Sequence, residues 1–95
     1  MVRYTDTISG EELYVHDDKY GNKFYYKDRA MTICHRLDGP AAEWKNGTKL
    51  WYANGKQHRL DGPAIEHADG DKDWYVNNVY IMMLDKNGKI KGRME

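Results

Sequence analysis

Short runs of alternating side chains, separated by turn residues, fill most of the chain. In Leu50-Trp51-Tyr52-Ala53, Trp51 and Ala53 fall on one face of a strand and Leu50 and Tyr52 on the other, because successive strand residues point to opposite sides. Asp73-Trp74-Tyr75-Val76 repeats the run with Asp73 in the place of Leu50. The Leu50/Tyr52 face is therefore predicted to be the wetter one. Trp51, Trp74 and, upstream, Tyr25 are predicted to line the core, with Tyr26, Tyr52 and Tyr75 as a ladder on the opposite face. Ala41 to Trp44 and Thr48 to Ala53 read as strands joined by a Lys45-Asn46-Gly47 turn. Asn54-Gly55, Asp69-Gly70 and Asn87-Gly88 supply further turns, since Asn, Asp and Gly tolerate the positive φ that tight hairpins need. No segment carries a capped 3.6-residue apolar period, so the chain reads as all-β.

The runs belong to a repeat. His35-Arg36-Leu37-Asp38-Gly39-Pro40-Ala41 recurs unchanged as His58-Arg59-Leu60-Asp61-Gly62-Pro63-Ala64, 23 residues later. Glu43, Gly47, Lys49, Trp51-Tyr52 and Asn54 recur at the same offset as Glu66, Gly70, Lys72, Trp74-Tyr75 and Asn77. A degenerate copy, Gly21-Asn22-Lys23-Phe24-Tyr25-Tyr26, matches Gly47 to Tyr52 at an offset of 26. The organisation predicted is one domain over 1–95, with units at about 12–34, 35–57 and 58–80 and a divergent cap over 81–95. Such units stack so that each covers its neighbour, and the end units must differ. The run Val79 to Leu84 is too apolar for an open edge: it either caps the core, the preferred reading, or pairs with a second copy.

Glu43-Trp44-Lys45-Asn46-Gly47, then Tyr52-Ala53-Asn54-Gly55-Lys56-Gln57-His58, then Ala68-Asp69-Gly70-Asp71-Lys72 resemble the MORN repeat, a β-hairpin unit of the same period. The resemblance covers about residues 12–80. His-Arg-Leu-Asp-Gly-Pro stands where MORN units carry His-Gly-x-Gly, a variant similar to repeats in small proteins of tailed bacteriophages and some bacteria. The resemblance implies about three hairpins in a twisted single-layer sheet, a binding or scaffolding role and no catalysis. In its most concrete form it implies a phage-encoded inhibitor that occludes a bacterial host protein, such as a defence-system component, in the host cytoplasm.

Charge and composition narrow the chemistry. Fifteen Lys plus Arg balance fifteen Asp plus Glu, which argues against a nucleic-acid binder and a polybasic membrane anchor. The longest apolar run is the six residues from Val79 to Leu84, far short of the roughly 18 of a membrane helix. No apolar signal-peptide core opens the chain, and the single cysteine, Cys34, forms no internal disulfide; the chain reads as cytoplasmic. Ser9, the one serine, lies in a start expected to be frayed, and Cys34 and His35 are adjacent, so they point to opposite faces. No enzyme and no cofactor are expected. His16, His35, His58 and His67 match no common zinc spacing, and no metal site is assigned.

Aromatics make up 13% of the residues, and a single-layer sheet cannot hide both of its faces. The partner-binding residues expected are therefore Tyr26, Leu50, Tyr52 and Tyr75, with Arg36 and Arg59 at the turns. The rival reading places a phosphate or nucleotide among His35, Arg36, His58 and Arg59, because stacked units bring like residues into register and guanidinium forks suit phosphate. Against it, Asp before Gly makes a turn, and Arg36 has Asp38 or Asp61 to pair with. A structural homo-oligomer joined through residues 79–84 is the third reading. The acidic residues Asp17, Asp18, Asp69, Asp71 and Asp73 are expected to be solvated turn and edge positions.

Overall fold

The computed structural model describes residues 2–93, and every regular element in that span is a β-strand. In chain order these are β1 (Val2–Thr5), β2 (Glu12–Asp17), β3 (Lys23–Tyr26), β4 (Ala42–Glu43), β5 (Lys49–Leu50), β6 (Tyr52–Ala53), β7 (Lys56–Gln57), β8 (Ile65–Glu66), β9 (Lys72–Val76), β10 (Val79–Leu84) and β11 (Ile90–Arg93). Nine of them form one antiparallel sheet in the order β1-β2-β3-β4-β5-β8-β9-β10-β11, and β6 pairs with β7 apart from it. No helix among the described residues is long and apolar enough to cross a membrane.

Two kinds of turn drive the zigzag. At Asp18–Asn22, Trp44–Thr48, His67–Asp71 and Asp85–Lys89 the first residue's N–H donates to the carbonyl of the fifth, and a glycine at the fourth position donates back to the carbonyl of the first. Those glycines have φ of 91°, 99°, 100° and 83°, the left-handed region that closes a short hairpin with a bulge. Asn54-Gly55 and Asn77-Asn78 each place two successive residues at positive φ, the two-residue hairpin geometry that follows strand twist.

The predicted strand over 48–53 is split. Lys49 and Leu50 pair with both β4 and β8, whereas Tyr52 and Ala53 pair with β7. Trp51 is the switch: its N–H donates to the Ala64 carbonyl and its carbonyl accepts from the His58 N–H. The second copy, β9, runs on unbroken because its hairpin partner β10 is longer.

β10 is interior, bonded to β9 on one side and β11 on the other. β11 pairs only with Met82 to Leu84, so the run 79–84 is covered on that side over its second half. The start is not frayed: β1 pairs with β2 from Val2↔Val15 to Thr5↔Glu12, and the following turn buries Asp6 completely.

The main apolar cluster lies on one face of the sheet, with Ala42 and Ile65 buried on the other. Leu13, Val15 and Tyr25 are buried together, with Tyr4 packed against them edge-on to Tyr25 at 5.4 Å. Small residues carry the middle of the molecule: Ala41 and Ala64 are fully buried, each donating to the next strand (Ala41 to the Leu50 carbonyl, Ala64 to that of Asp73). Trp51 and Trp74, expected as core, are only half-buried. Trp51 is covered by a guanidinium instead of apolar groups, with the Arg59 Cζ 3.9 Å from its ring centre.

Asp73 overturns the reading of its face. It is buried, not a solvated edge residue, and lies in the cross-sheet row Phe24–Ala42–Leu50–Ile65–Asp73–Met83. Its Oδ2 accepts from His67 Nε2 at 2.9 Å, and its Oδ1 has no partner. A carboxylate with an unmatched buried oxygen costs stability. Asp73→Leu, which copies the preceding unit, should therefore stabilise by about 1 kcal/mol, a Tm rise of roughly 4–8 °C in thermal unfolding; an unchanged or lower Tm would mean that the His67 bond outweighs the orphaned oxygen.

Candidate functional site

Each face of the sheet carries a candidate site. On the face opposite the core, alternation puts Phe24 and Tyr26 of β3 beside Ala42 and Trp44, then Leu50 and Tyr52. Their rings pack in sequence: His16 on Phe24 at 6.4 Å, Phe24 on Tyr26 at 6.2 Å, and Trp44 edge-on to Phe24 at 5.4 Å. Between them lies an open groove of about 280 Å³ with Cys34 and Ala42 in its lining. Almost nothing polar faces it. The rings are half-buried against one another and against Cys34, Ala42 and Leu50, with Trp44 exposed.

Three of the four aromatic-face residues expected from sequence, Tyr26, Leu50 and Tyr52, meet in this groove. Tyr75 does not. It packs edge-on to Tyr80 of the adjacent strand at 5.6 Å, and buried Asp73 interrupts the apolar row between the two ends of the sheet. The ladder is thus a cluster at one end. Trp44 was missed as a site residue, although its position two residues beyond Ala42 puts it on the same face. Burial pushes the Cys34 thiol up to about 11, so at neutral pH it is a protonated, apolar wall, and the Sγ lies 3.6 Å from the Ala41 carbonyl.

On the core face stand the two His-Arg-Leu-Asp-Gly-Pro loops. Arg36 lies over the rings of Tyr25 and Tyr4, with Cζ 4.3 and 4.7 Å from their centres. Its Nε donates to Asp38 at 2.6 Å and its Nη1 to the Pro40 carbonyl at 3.2 Å. Arg59 repeats this with Asp61 at 3.0 Å and the Pro63 carbonyl at 3.1 Å, and adds Glu66 at 3.0 Å. The sequence needs glycine where it has it: a Cβ on Gly39 or Gly62 would lie 2.8 Å from the guanidinium Cζ.

The histidines close the next hairpin. The Asn54 N–H donates to His35 Nδ1 at 2.9 Å, and the Asn77 N–H to His58 Nδ1 at 3.1 Å. Each Nδ1 is therefore the unprotonated nitrogen, and His35 Nε2–H donates to Glu11 at 3.0 Å. The expected anion site thus has its guanidinia occupied by carboxylates, and His35 is buried. Among the described residues no group of three or more His, Cys, Asp or Glu side chains could hold a metal ion.

The N-terminal turn went unread as a functional element, yet it holds the first loop. Asp6 accepts from the N–H groups of Ile8 and Ser9 in its own turn, at 2.9 and 3.1 Å. Its other oxygen accepts from Leu37 N–H at 2.6 Å and Asp38 N–H at 3.3 Å. Asp38 in return accepts from the Thr7 N–H and hydroxyl, both at 2.9 Å, and from the Tyr4 hydroxyl. Burial pushes the Asp38 carboxyl up, but these donors and Arg36 together hold it well below the usual carboxylate range. No family model matches this chain, and neither a curated protein nor a solved structure does.

Proposed function

We propose that the chain is a non-catalytic protein-binding module whose contact surface is the aromatic face. The observation that carries this is the open groove at Phe24, Tyr26, Trp44, Leu50 and Tyr52, lined almost wholly by apolar atoms. Contiguous apolar surface of this kind marks interaction sites, and aromatic anchors in a shallow pocket carry most of the energy of a protein interface. A groove of about 280 Å³ accepts one or two apolar side chains of a partner. The protonated Cys34 thiol and the engaged His35 and arginine side chains of the loops support a reading without catalysis. The narrower form, a phage-encoded inhibitor that occludes a bacterial host protein, rests on the resemblance of the repeat.

The test is affinity capture from bacterial lysate with the wild-type chain and single variants, each first checked for an unchanged Tm. Trp44→Ala and Tyr52→Ala should each weaken retention of the captured protein by tenfold or more, the size of an anchor residue's effect. Tyr75→Ala, off the groove, should leave retention unchanged. Equal retention by all four proteins would sink the reading. A light-scattering mass that doubles with concentration and returns to 11.2 kDa in Trp44→Ala would make the partner a second copy, seated face to face.

A further inference from the structure

The two repeated loops have the same sequence and the same internal geometry, but only one is filled. In both, the arginine N–H donates to a tyrosine carbonyl of the following hairpin, Tyr52 or Tyr75, and the guanidinium folds onto the glycine at the same 2.8 Å. The first loop is covered by residues 4–11 of its own chain. The Asp6 carboxylate takes its two free N–H groups, Tyr4 and Thr7 donate to its Asp38, and Glu11 takes the His35 N–H. The second loop has none of this. Among the described residues the N–H groups of Leu60 and Asp61 and the Nε2 of His58 meet no partner. The Asp61 side chain is 88% exposed against 6% for Asp38, and Leu60 is 80% exposed against 39% for Leu37. Beside it runs a groove of about 260 Å³ with Trp51 in its lining and Ile8, Leu37 and Leu60 around it.

We propose that the second loop is a receptor for a partner protein's turn of the same chemistry as residues 4–11: an aspartate that opens a tight turn, a tyrosine two residues before it and a hydroxyl residue after it. The loop presents two N–H donors without a protein acceptor and one exposed carboxylate whose donor among the described residues is Arg59. A segment with Asp, Tyr and Thr supplies both an acceptor and further donors. An inorganic anion supplies acceptors only, with no donor for the Asp61 carboxylate to match those that Tyr4 and Thr7 give Asp38. The site lies on the opposite face from the aromatic groove and stands or falls independently of it.

The probe is a synthetic peptide of residues 2–12 of this chain, titrated into the intact isotope-labelled protein while backbone amide shifts are followed. The Leu60 and Asp61 amides should move and saturate. The Asp6→Asn peptide should bind about tenfold more weakly, or about 1.4 kcal/mol, and the Tyr4→Phe peptide more weakly than the parent. The Trp44→Ala protein, altered only at the aromatic groove, should bind the peptide as the wild type does. Still Leu60 and Asp61 amides at millimolar peptide, equal binding of the Asp6→Asn peptide, shifts confined to Leu37 and Asp38, or the same shifts at lower concentrations of inorganic phosphate would each overturn the proposal.

Discussion

Asp6→Ala should cost about 3 kcal/mol of stability, because one buried carboxylate accepts from four N–H groups and hydrogen bonds to a charged group contribute roughly 1.5–3 kcal/mol each when part-buried. Two of those groups, Ile8 and Ser9, belong to the turn itself, and the other two, Leu37 and Asp38, belong to the first loop, so the change unties both segments. A domain of this size holds about 5–15 kcal/mol in all, so the change removes a large share, and Tm should fall by more than about 10 °C. Asp6→Asn separates the two halves of the role. Its single carbonyl oxygen still closes the local turn, but its amide cannot accept from Leu37 and Asp38, so it should lose less than Asp6→Ala yet expose those two amides to faster hydrogen exchange. If Asp6→Ala unfolds at the wild-type temperature, the N-terminal turn does not hold the first loop.

The same carboxylates contribute to the acid limb of stability. Burial raises the Asp6 carboxyl, and the backbone donors of Leu37, Ser9 and Ile8 more than reverse this, leaving it below its ordinary value; Asp38 is shifted the same way. A carboxyl depressed on folding contributes stability that is present above its unfolded value, about 3.9, and that is lost as pH falls through the lower folded value. Stability should therefore hold above about pH 4 and fall below it, and the fall should be shallower in Asp6→Asn, which has one carboxyl fewer to protonate.

The all-β class and the turns were legible because glycine and asparagine state their own backbone requirement: Gly47, Gly70, Gly88 and Asn54-Gly55 all stand at positive φ. The two faces of β3 and of the 49–53 run also followed from alternation alone, which is why Tyr26, Leu50 and Tyr52 come together. Alternation fixes which side a residue takes and not what covers that side. Asp73 was read as solvated because aspartate usually is; its burial depends on His67, placed over it by the hairpin between β8 and β9. Tyr75 packs on Tyr80 of the neighbouring strand instead of joining the other tyrosines. The cover over the first loop is harder to see still. Residues 4–11 share no motif with the repeat, and their role depends on contacts with residues about 24–34 positions away. The available signal was Asp6 at the head of Asp-Thr-Ile-Ser-Gly, a turn sequence that says a turn forms and is silent on what it grips.

One substitution made at two places of identical local sequence would measure what that cover is worth. Gly39→Ala and Gly62→Ala each put a Cβ 2.8 Å from the guanidinium Cζ three residues before, and each gains roughly 0.4–1 kcal/mol from a stiffer unfolded chain. The difference lies in where the guanidinium can go. Arg59 can swing outward at the expense of its bonds to exposed Asp61 and partly exposed Glu66 and of its stack on Trp51. Arg36 is held between the rings of Tyr4 and Tyr25, and its partner Asp38 is itself fixed by Tyr4 and Thr7. Displacing it strands a buried carboxylate, which costs about 3 kcal/mol. Net of the unfolded-state gain, Gly39→Ala should destabilise by about 2 kcal/mol and Gly62→Ala by less than about 1 kcal/mol, a separation of several degrees in Tm. Equal losses at the two sites would mean that residues 4–11 rest on the first loop without bracing it. A larger loss at Gly62 would mean that Arg59 on Trp51 is the stiffer of the two stacks.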